Sequence, residues 1–136
     1  MKKLKWDKKL CTGCRVCESI CAFSHEGVIN PILSRIRIAP LGKYEETQKS
    51  TICQQCKDAE CVKACPTDAL KIDIKKGYVT FTEDDCIGCS ACVEACPFSA
   101  IFMHPEKNTA LKCDLCGGFP KCVEHCLSGA LKVIEY

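Results

Sequence analysis

The sequence predicts an α+β protein of short helices and small antiparallel sheets, with its core built around metal-binding thiolates rather than carbon side chains. Three observations carry this. Sixteen of the 136 residues are cysteine. They fall into four groups of four with none left over. A short apolar pattern of one kind follows three of the four groups. The apolar fraction of 47% includes the cysteines, and without them it falls to about 35%, thin for an ordinary core.

The first group is Cys11, Cys14, Cys17 and Cys21, spaced C-x2-C-x2-C-x3-C. The second is Cys53, Cys56, Cys61 and Cys65, with a longer middle gap. The third, Cys86, Cys89, Cys92 and Cys96, repeats the first spacing, and the fourth is Cys113, Cys116, Cys122 and Cys126. Three thiolates on a short loop and a fourth after three residues is the bacterial ferredoxin spacing for cubane [4Fe-4S] clusters, in which the fourth cysteine serves the other cluster of a pair. A loop stepping every third residue sets one sulfur on each of three corners of a body several ångströms wide. Zinc is the rival. Its sulfurs lie about 2.3 Å from the ion and so crowd together, a geometry in which a third closely spaced cysteine adds nothing. The three histidines, His25, His104 and His125, keep no constant relation to the groups, unlike a mixed zinc site.

Each unit then reads as cysteine loop, short helix, turn and strand. The segments after the fourth cysteines are Cys65-Pro-Thr-Asp-Ala-Leu-Lys-Ile, Cys96-Pro-Phe-Ser-Ala-Ile-Phe-Met and Cys126-Leu-Ser-Gly-Ala-Leu-Lys-Val. Pro66 and Pro97 end the preceding helical turn, and Ala69, Ala100 and Ala130 are small enough for the backbone to pass close to a cluster. Helices are predicted over Arg15–Cys21, Glu60–Cys65, Cys92–Cys96 and Lys121–Cys126. Strands are predicted over Ile36–Ile38, Leu70–Ile74, Tyr78–Thr82, Ala100–Met103 and Leu131–Ile134. Lys75-Lys76-Gly77 reads as a hairpin turn whose glycine supplies the positive φ. Gly13, Gly88 and the Gly117-Gly118 pair are the permissive positions in the cysteine loops.

Groups two and three carry both prolines and form a complete two-cluster unit of about residues 52–103. Groups one and four pair across it as an outer unit of about 1–51 plus 104–136. The whole chain, 1–136, is thus one domain of two nested bacterial-type two-cluster ferredoxin-like units. Four thiolates on a 2+ core leave about −2 per site, so four sites take the formal +2 to about −6. The lysines of Lys2–Lys9 read as a solvated tail offsetting that charge, or as a dock for an acidic ferredoxin. His25 reads either as a donor to a cluster sulfur or partner contact, or as a capping or surface residue. His125 reads as solvent-facing or locally packed, His104 as a loop residue, and Trp6 as packing against or shielding a cluster. The cysteine-free stretch from Asn30 to Ile52, with its polar run Lys43–Ser50, is long for so small a protein and is expected to be ordered by a partner subunit.

Several classes are excluded. No run of 18 apolar residues spans a membrane, and the N-terminus lacks the apolar region of a secretory signal, so a cytoplasmic protein with reduced thiols is expected. A net charge of +2 makes no case for nucleic acid. No phosphate-cradling loop, nucleotide fingerprint or nucleophile stands outside the groups, so the chain transfers electrons and is not an enzyme by itself.

Through all sixteen cysteines the chain resembles the four-cluster iron–sulfur subunits of dimethyl sulfoxide reductase, polysulfide reductase, formate dehydrogenase and some hydrogenases. That resemblance implies four clusters with defined ligand sets. One takes Cys11, Cys14, Cys17 and Cys126, a second Cys53, Cys56, Cys61 and Cys96. A third takes Cys86, Cys89, Cys92 and Cys65, and the last Cys113, Cys116, Cys122 and Cys21. The absence of a membrane anchor and of long insertions speaks against a periplasmic, membrane-tethered form. The segment from Cys14 to Ile38 is similar to the small iron–sulfur subunits that accompany tungsten-dependent aldehyde oxidoreductases, and to the related subunit of tungsten benzoyl-CoA reductases. It implies a larger tungsten-pterin catalytic subunit and a ferredoxin or flavin-containing redox partner. The alternatives are a molybdenum enzyme, a hydrogenase or carbon monoxide dehydrogenase system, or a free-standing polyferredoxin.

Overall fold

The computed structural model describes residues 1–45 and 47–136. Its architecture is α+β, with every sheet two-stranded and antiparallel. In chain order the elements are β1 (Lys2–Trp6), α1 (Val16–Glu26), β2 (Arg37–Leu41), β3 (Thr47–Thr51), α2 (Glu60–Ala64), β4 (Leu70–Asp73) and β5 (Tyr78–Phe81). They continue with α3 (Ala91–Ala95), β6 (Phe102–Met103), β7 (Ala110–Leu111), α4 (Lys121–Glu124) and β8 (Leu131–Glu135).

The four expected helices form, and α2, α3 and α4 each end one or two residues short of the predicted boundary. The first runs on instead of stopping at Cys21. No proline follows that cysteine, and the helix continues to a cap at Gly27 (φ 74°), whose N–H bonds the Phe23 carbonyl at 2.9 Å. The turn between β4 and β5 closes as expected, with Gly77 at φ 83° and its N–H bonded to the Asp73 carbonyl at 2.8 Å.

Three strands were not anticipated. The lysine-rich N-terminus is no free tail: it is β1, which pairs with β8 in the register Leu4↔Val133 and Trp6↔Leu131. The alternation of lysine with Leu4 and Trp6 places the two apolar residues on one face, and Leu4 is buried in the core. The stretch expected to be ordered by a partner carries a ladder of its own. Arg37–Leu41 and Thr47–Thr51 form a hairpin through their own ladder, and Glu46 of its polar run lies outside the described residues. Finally, β7 pairs with β6, which carries the ladder past residue 103 and brings Ala110 into the core next to α3.

Apolar packing falls into two groups. Leu4, Ile36, Ile52, Leu115 and Leu131 gather with Cys21 and Cys122, where α1 packs on α4. Leu70, Val79, Ile101 and Ala110 gather with Cys92, where α2 packs on α3. The two meet at residues of both: Tyr78 lies in the first group and its neighbour Val79 in the second. Arg37 adds a further tie, its guanidinium 3.6 Å above the Phe102 ring.

Candidate metal centre

Local backbone geometry shapes each cysteine loop in one way. The residue before the second cysteine is left-handed in all four groups: Gly13 (φ 73°), Gln55 (φ 48°), Gly88 (φ 73°) and Leu115 (φ 54°). Glycine was expected here, and two groups manage without it. The left-handed turn points successive N–H groups into the loop's concave side, where an anion sits. At Gly88 there is a second constraint, because a Cβ would stand 2.2 Å from the side chain of Asn108, which donates to the Ile87 carbonyl at 2.9 Å.

A second left-handed position follows three residues after the fourth cysteine: Asp68 (φ 57°), Ser99 (φ 52°) and Gly129 (φ 71°). It turns the chain into the alanine predicted to lie close, and Ala69, Ala100 and Ala130 are all buried. The turn aims N–H groups at the preceding sulfur, as in Ala100 N–H to Cys96 Sγ at 3.4 Å. At Cys65, burial works against the thiolate, but the N–H groups of Thr67, Leu70 and Ala69 and the Thr67 hydroxyl outweigh it and bring the thiol below its ordinary value. Cys126 is lowered in the same way, against burial, by the Ser128 hydroxyl and the N–H groups of Leu131, Ala130 and Gly129.

The cysteines meet around separate spaces. Cys11, Cys14, Cys17 and Cys126 line one space, with Trp6 on its wall. Cys53, Cys56, Cys61 and Cys96 line a second. Cys65, Cys86, Cys89 and Cys92 line a third. Cys122 is buried beside Cys113, Cys21 and Cys116, whose charges add to burial in pushing its thiol up. Burial likewise raises Cys17 to about 12, Cys61 to about 11 and Cys113 to about 12; Glu18 adds to it at Cys17, and Lys112 opposes it at Cys61 and Cys113. Buried thiols of this kind give up their protons to a metal, not to water. Among the described residues, no three His, Cys, Asp or Glu side chains are arranged to hold a single metal ion.

These spaces form a succession. Cys113 is close enough to both Cys53 and Cys21 to be raised by their charges, and Cys122 feels Cys17 as well. The cysteines of the second and third spaces pack against one apolar group. At the outer ends Cys14 and Cys89 are exposed.

The histidines separate. His25 Nε2 lies 3.7 Å from Cys116 Sγ and 4.0 Å from Asp114 Oδ1, and burial followed by the Arg35 charge lowers its pKa. His125, just past the end of α4, is exposed, and its ring stands 2.9 Å from the carbonyl of Lys121, the helix's first residue. His104 does more than occupy a loop: its Nδ1 accepts from the N–H groups of Glu106 and Lys107 at 3.1 and 3.0 Å, and its Nε2 is 3.6 Å from Glu26. Trp6 packs on the first apolar group, and its Nε1–H is buried without an acceptor among the described residues. An orphaned donor on a wall shared with four cysteines fits a sulfide-bearing group.

Sequence reasoning missed the buried polar residues, three of which stand next to cysteines in the chain. Glu18, between two cysteines of α1, accepts from the Ile38 N–H at 2.6 Å and from Arg15 Nε at 2.8 Å. Lys112 is buried and donates to the Cys113 carbonyl at 2.6 Å. Gln55 is fully buried, its Nε2 donating to the Cys113 carbonyl and its Oε1 accepting from the Val79 N–H, both at 2.9 Å. The one signal available was a polar residue where two other groups carry glycine. Replacing it, Gln55→Leu, strands the buried Val79 N–H and leaves the Cys113 carbonyl to Lys112 alone. The expected cost is about 1–3 kcal/mol, read as a lower guanidinium midpoint for bleaching of the visible absorbance. An unchanged midpoint would show that the bridge carries no load.

Comparison with known proteins accords with this geometry. Residues 45–136 match a family described as a 4Fe-4S dicluster domain, and residues 8–24 match a 4Fe-4S binding domain. The chain is 46% identical over 127 residues to the aliphatic sulfonate oxidoreductase polyferredoxin-like subunit of Pyrococcus furiosus, covering 91% of this chain and 72% of that one. It is 41% identical over 140 residues to the protein NrfC of Escherichia coli K12, covering 92% of this chain and 61% of that longer protein. Among solved structures, a chain of the active site complex BamBC of benzoyl coenzyme A reductase aligns with a TM-score of 0.58 at 29% identity, over 100% of this chain and 80% of the other. The sixteen cysteines fit four [4Fe-4S] clusters. With its dicluster region, its added cluster-binding segment and its kinship to oxidoreductase subunits, the chain belongs to the 4Fe-4S dicluster-domain family as a ferredoxin-type electron-transfer subunit.

Proposed function

We propose that the chain relays single electrons, in the cytoplasm, between the catalytic subunit of a tungsten-pterin oxidoreductase of the aldehyde-oxidoreductase type and a redox partner such as a ferredoxin or flavoprotein. The four ligand sets are those implied above: Cys11, Cys14, Cys17, Cys126; Cys53, Cys56, Cys61, Cys96; Cys65, Cys86, Cys89, Cys92; and Cys21, Cys113, Cys116, Cys122. The observation that supports the relay is the succession of cysteine-lined cavities, each drawing three sulfurs from one group and the fourth from its partner group. A bound cluster exchanges one electron without making or breaking bonds to substrate. The protein's part is to hold the sulfurs, surround them with N–H donors and exclude water.

Exposed Cys14 and Cys89 mark the two ends where electrons enter and leave, because tunnelling to a partner needs a terminal site near the surface. Among the described residues no helix is long and apolar enough to cross a membrane. The tungsten assignment is supported by the Cys14–Ile38 segment. A catalytic partner is supported by relatives named as a subunit of an oxidoreductase and as part of an active site complex.

Anaerobic purification of the native assembly tests the proposal. The expected result is about 16 Fe per chain and a larger stoichiometric subunit containing tungsten. Molybdenum in place of tungsten overturns the partner assignment, a monodisperse 15.0 kDa protein overturns the subunit role, and iron far below that content overturns the cluster sets.

A further inference from the structure

Lys112 is an ammonium in the wrong place for a structural lysine. It is 2% exposed, and it lines the cavity of Cys53, Cys56, Cys61 and Cys96. Its Nζ donates to the Cys113 carbonyl at 2.6 Å, and the Cys53 sulfur on the same cavity wall is near enough for its charge to act on the ammonium. Among the described residues no carboxylate forms an ion pair with it; the groups acting on it are the sulfurs of Cys53, Cys113 and Cys61. A buried cation without a counter-ion is expensive, so its position requires an anion that the protein chain does not supply. Gln55 closes the other side of the same junction, bridging β5 to the Cys113 carbonyl, so the ammonium cannot swing to water.

We propose that Lys112 is a positioning residue that makes the Cys53–Cys56–Cys61–Cys96 site the easiest to reduce of its immediate neighbours, an electron-collecting point at the junction of the two nested units. The inference rests on the ligand sets proposed above. When the site takes one electron from an adjacent site, which that electron leaves oxidised, it gains one negative charge. The fixed ammonium stabilises the gain in a medium where water cannot screen it. Because Lys112 also abuts Cys113, the site of Cys21, Cys113, Cys116 and Cys122 feels the same charge through one ligand only, and so less strongly.

The test is potentiometric titration followed by electron paramagnetic resonance on the full chain, comparing wild type with Lys112→Gln and Lys112→Arg. The expected result for Lys112→Gln is unchanged iron content and one site whose reduction equilibrium shifts at least about tenfold toward the oxidised form, ~59 mV for one electron. Lys112→Arg keeps the charge and is expected to restore it. Four unchanged sites in an iron-replete Lys112→Gln overturn the proposal. So does equal loss of one cluster from both variants, which marks a packing role. Should the ligand sets themselves be wrong, wild-type iron falls far short of about 16 per chain before any variant is compared.

Discussion

Anaerobic removal of iron with a chelator leaves a chain without fixed secondary structure. Among the described residues, three of the four α-helices span only four or five residues, far below the length of about 12 at which an isolated helix becomes even marginal. All four sheets are two-stranded, a form that does not hold alone in water. Each apolar group is completed by cysteines, Cys21 and Cys122 in one and Cys92 in the other, so loss of the clusters opens a cavity through each. Metal binding and folding are therefore one event. Far-ultraviolet circular dichroism is expected to fall to the signal of an unfolded chain and to recover when iron and sulfide are supplied. An apo-protein that still melts cooperatively would contradict the argument.

The second large effect belongs to Glu26. Its carboxylate lies 2.9 Å from Arg35 with both side chains buried, and it also meets Lys107 at 3.2 Å and His104 at 3.6 Å. This ties the end of α1 to the 104–107 turn, and Arg35 in turn donates its backbone N–H to Cys21 Sγ at 3.2 Å. Glu26→Ala strands a buried guanidinium and is expected to cost about 3–5 kcal/mol, whereas replacing both partners with apolar residues costs less. Burial opposes the charged carboxyl, but hydrogen bonds from Arg35 and Lys107 outweigh it and hold Glu26 below its ordinary value of 4.5. A depressed carboxyl contributes fully above that ordinary value, and its contribution fades as the pH falls through the folded-state one. The stability gap between wild type and Glu26→Gln should be constant near neutrality and shrink below about pH 4.5. A gap that widens in acid would reverse the sign and refute the pairing.

What was legible beforehand were features with short-range causes. The cysteine spacing implied the cofactor, and the repeat after Cys65, Cys96 and Cys126 implied the helix–turn–strand units, since backbone turns respond to neighbours along the chain. The boundary of α1 was misjudged because only a proline would have stopped it at Cys21, and Ala22 is a good helix residue. β1 was hidden by its lysines, whose alternation with Leu4 and Trp6 becomes a strand signal only when β8 is there to pair. Of the Arg37–Thr51 hairpin only the first strand was legible, at Ile36–Ile38; the second, Thr47–Thr51, is a polar run with no apolar period of its own.

Sequence by itself determined that this chain binds clusters, because ligand type and spacing are set within a few residues. Tertiary structure alone decided that Lys112 and Gln55 meet at the Cys113 carbonyl and that Glu26 gathers Arg35, His104 and Lys107. Those contacts join positions far apart in the chain, and burial, which gives each its energetic weight, exists only once the chain has closed around its sulfur sites.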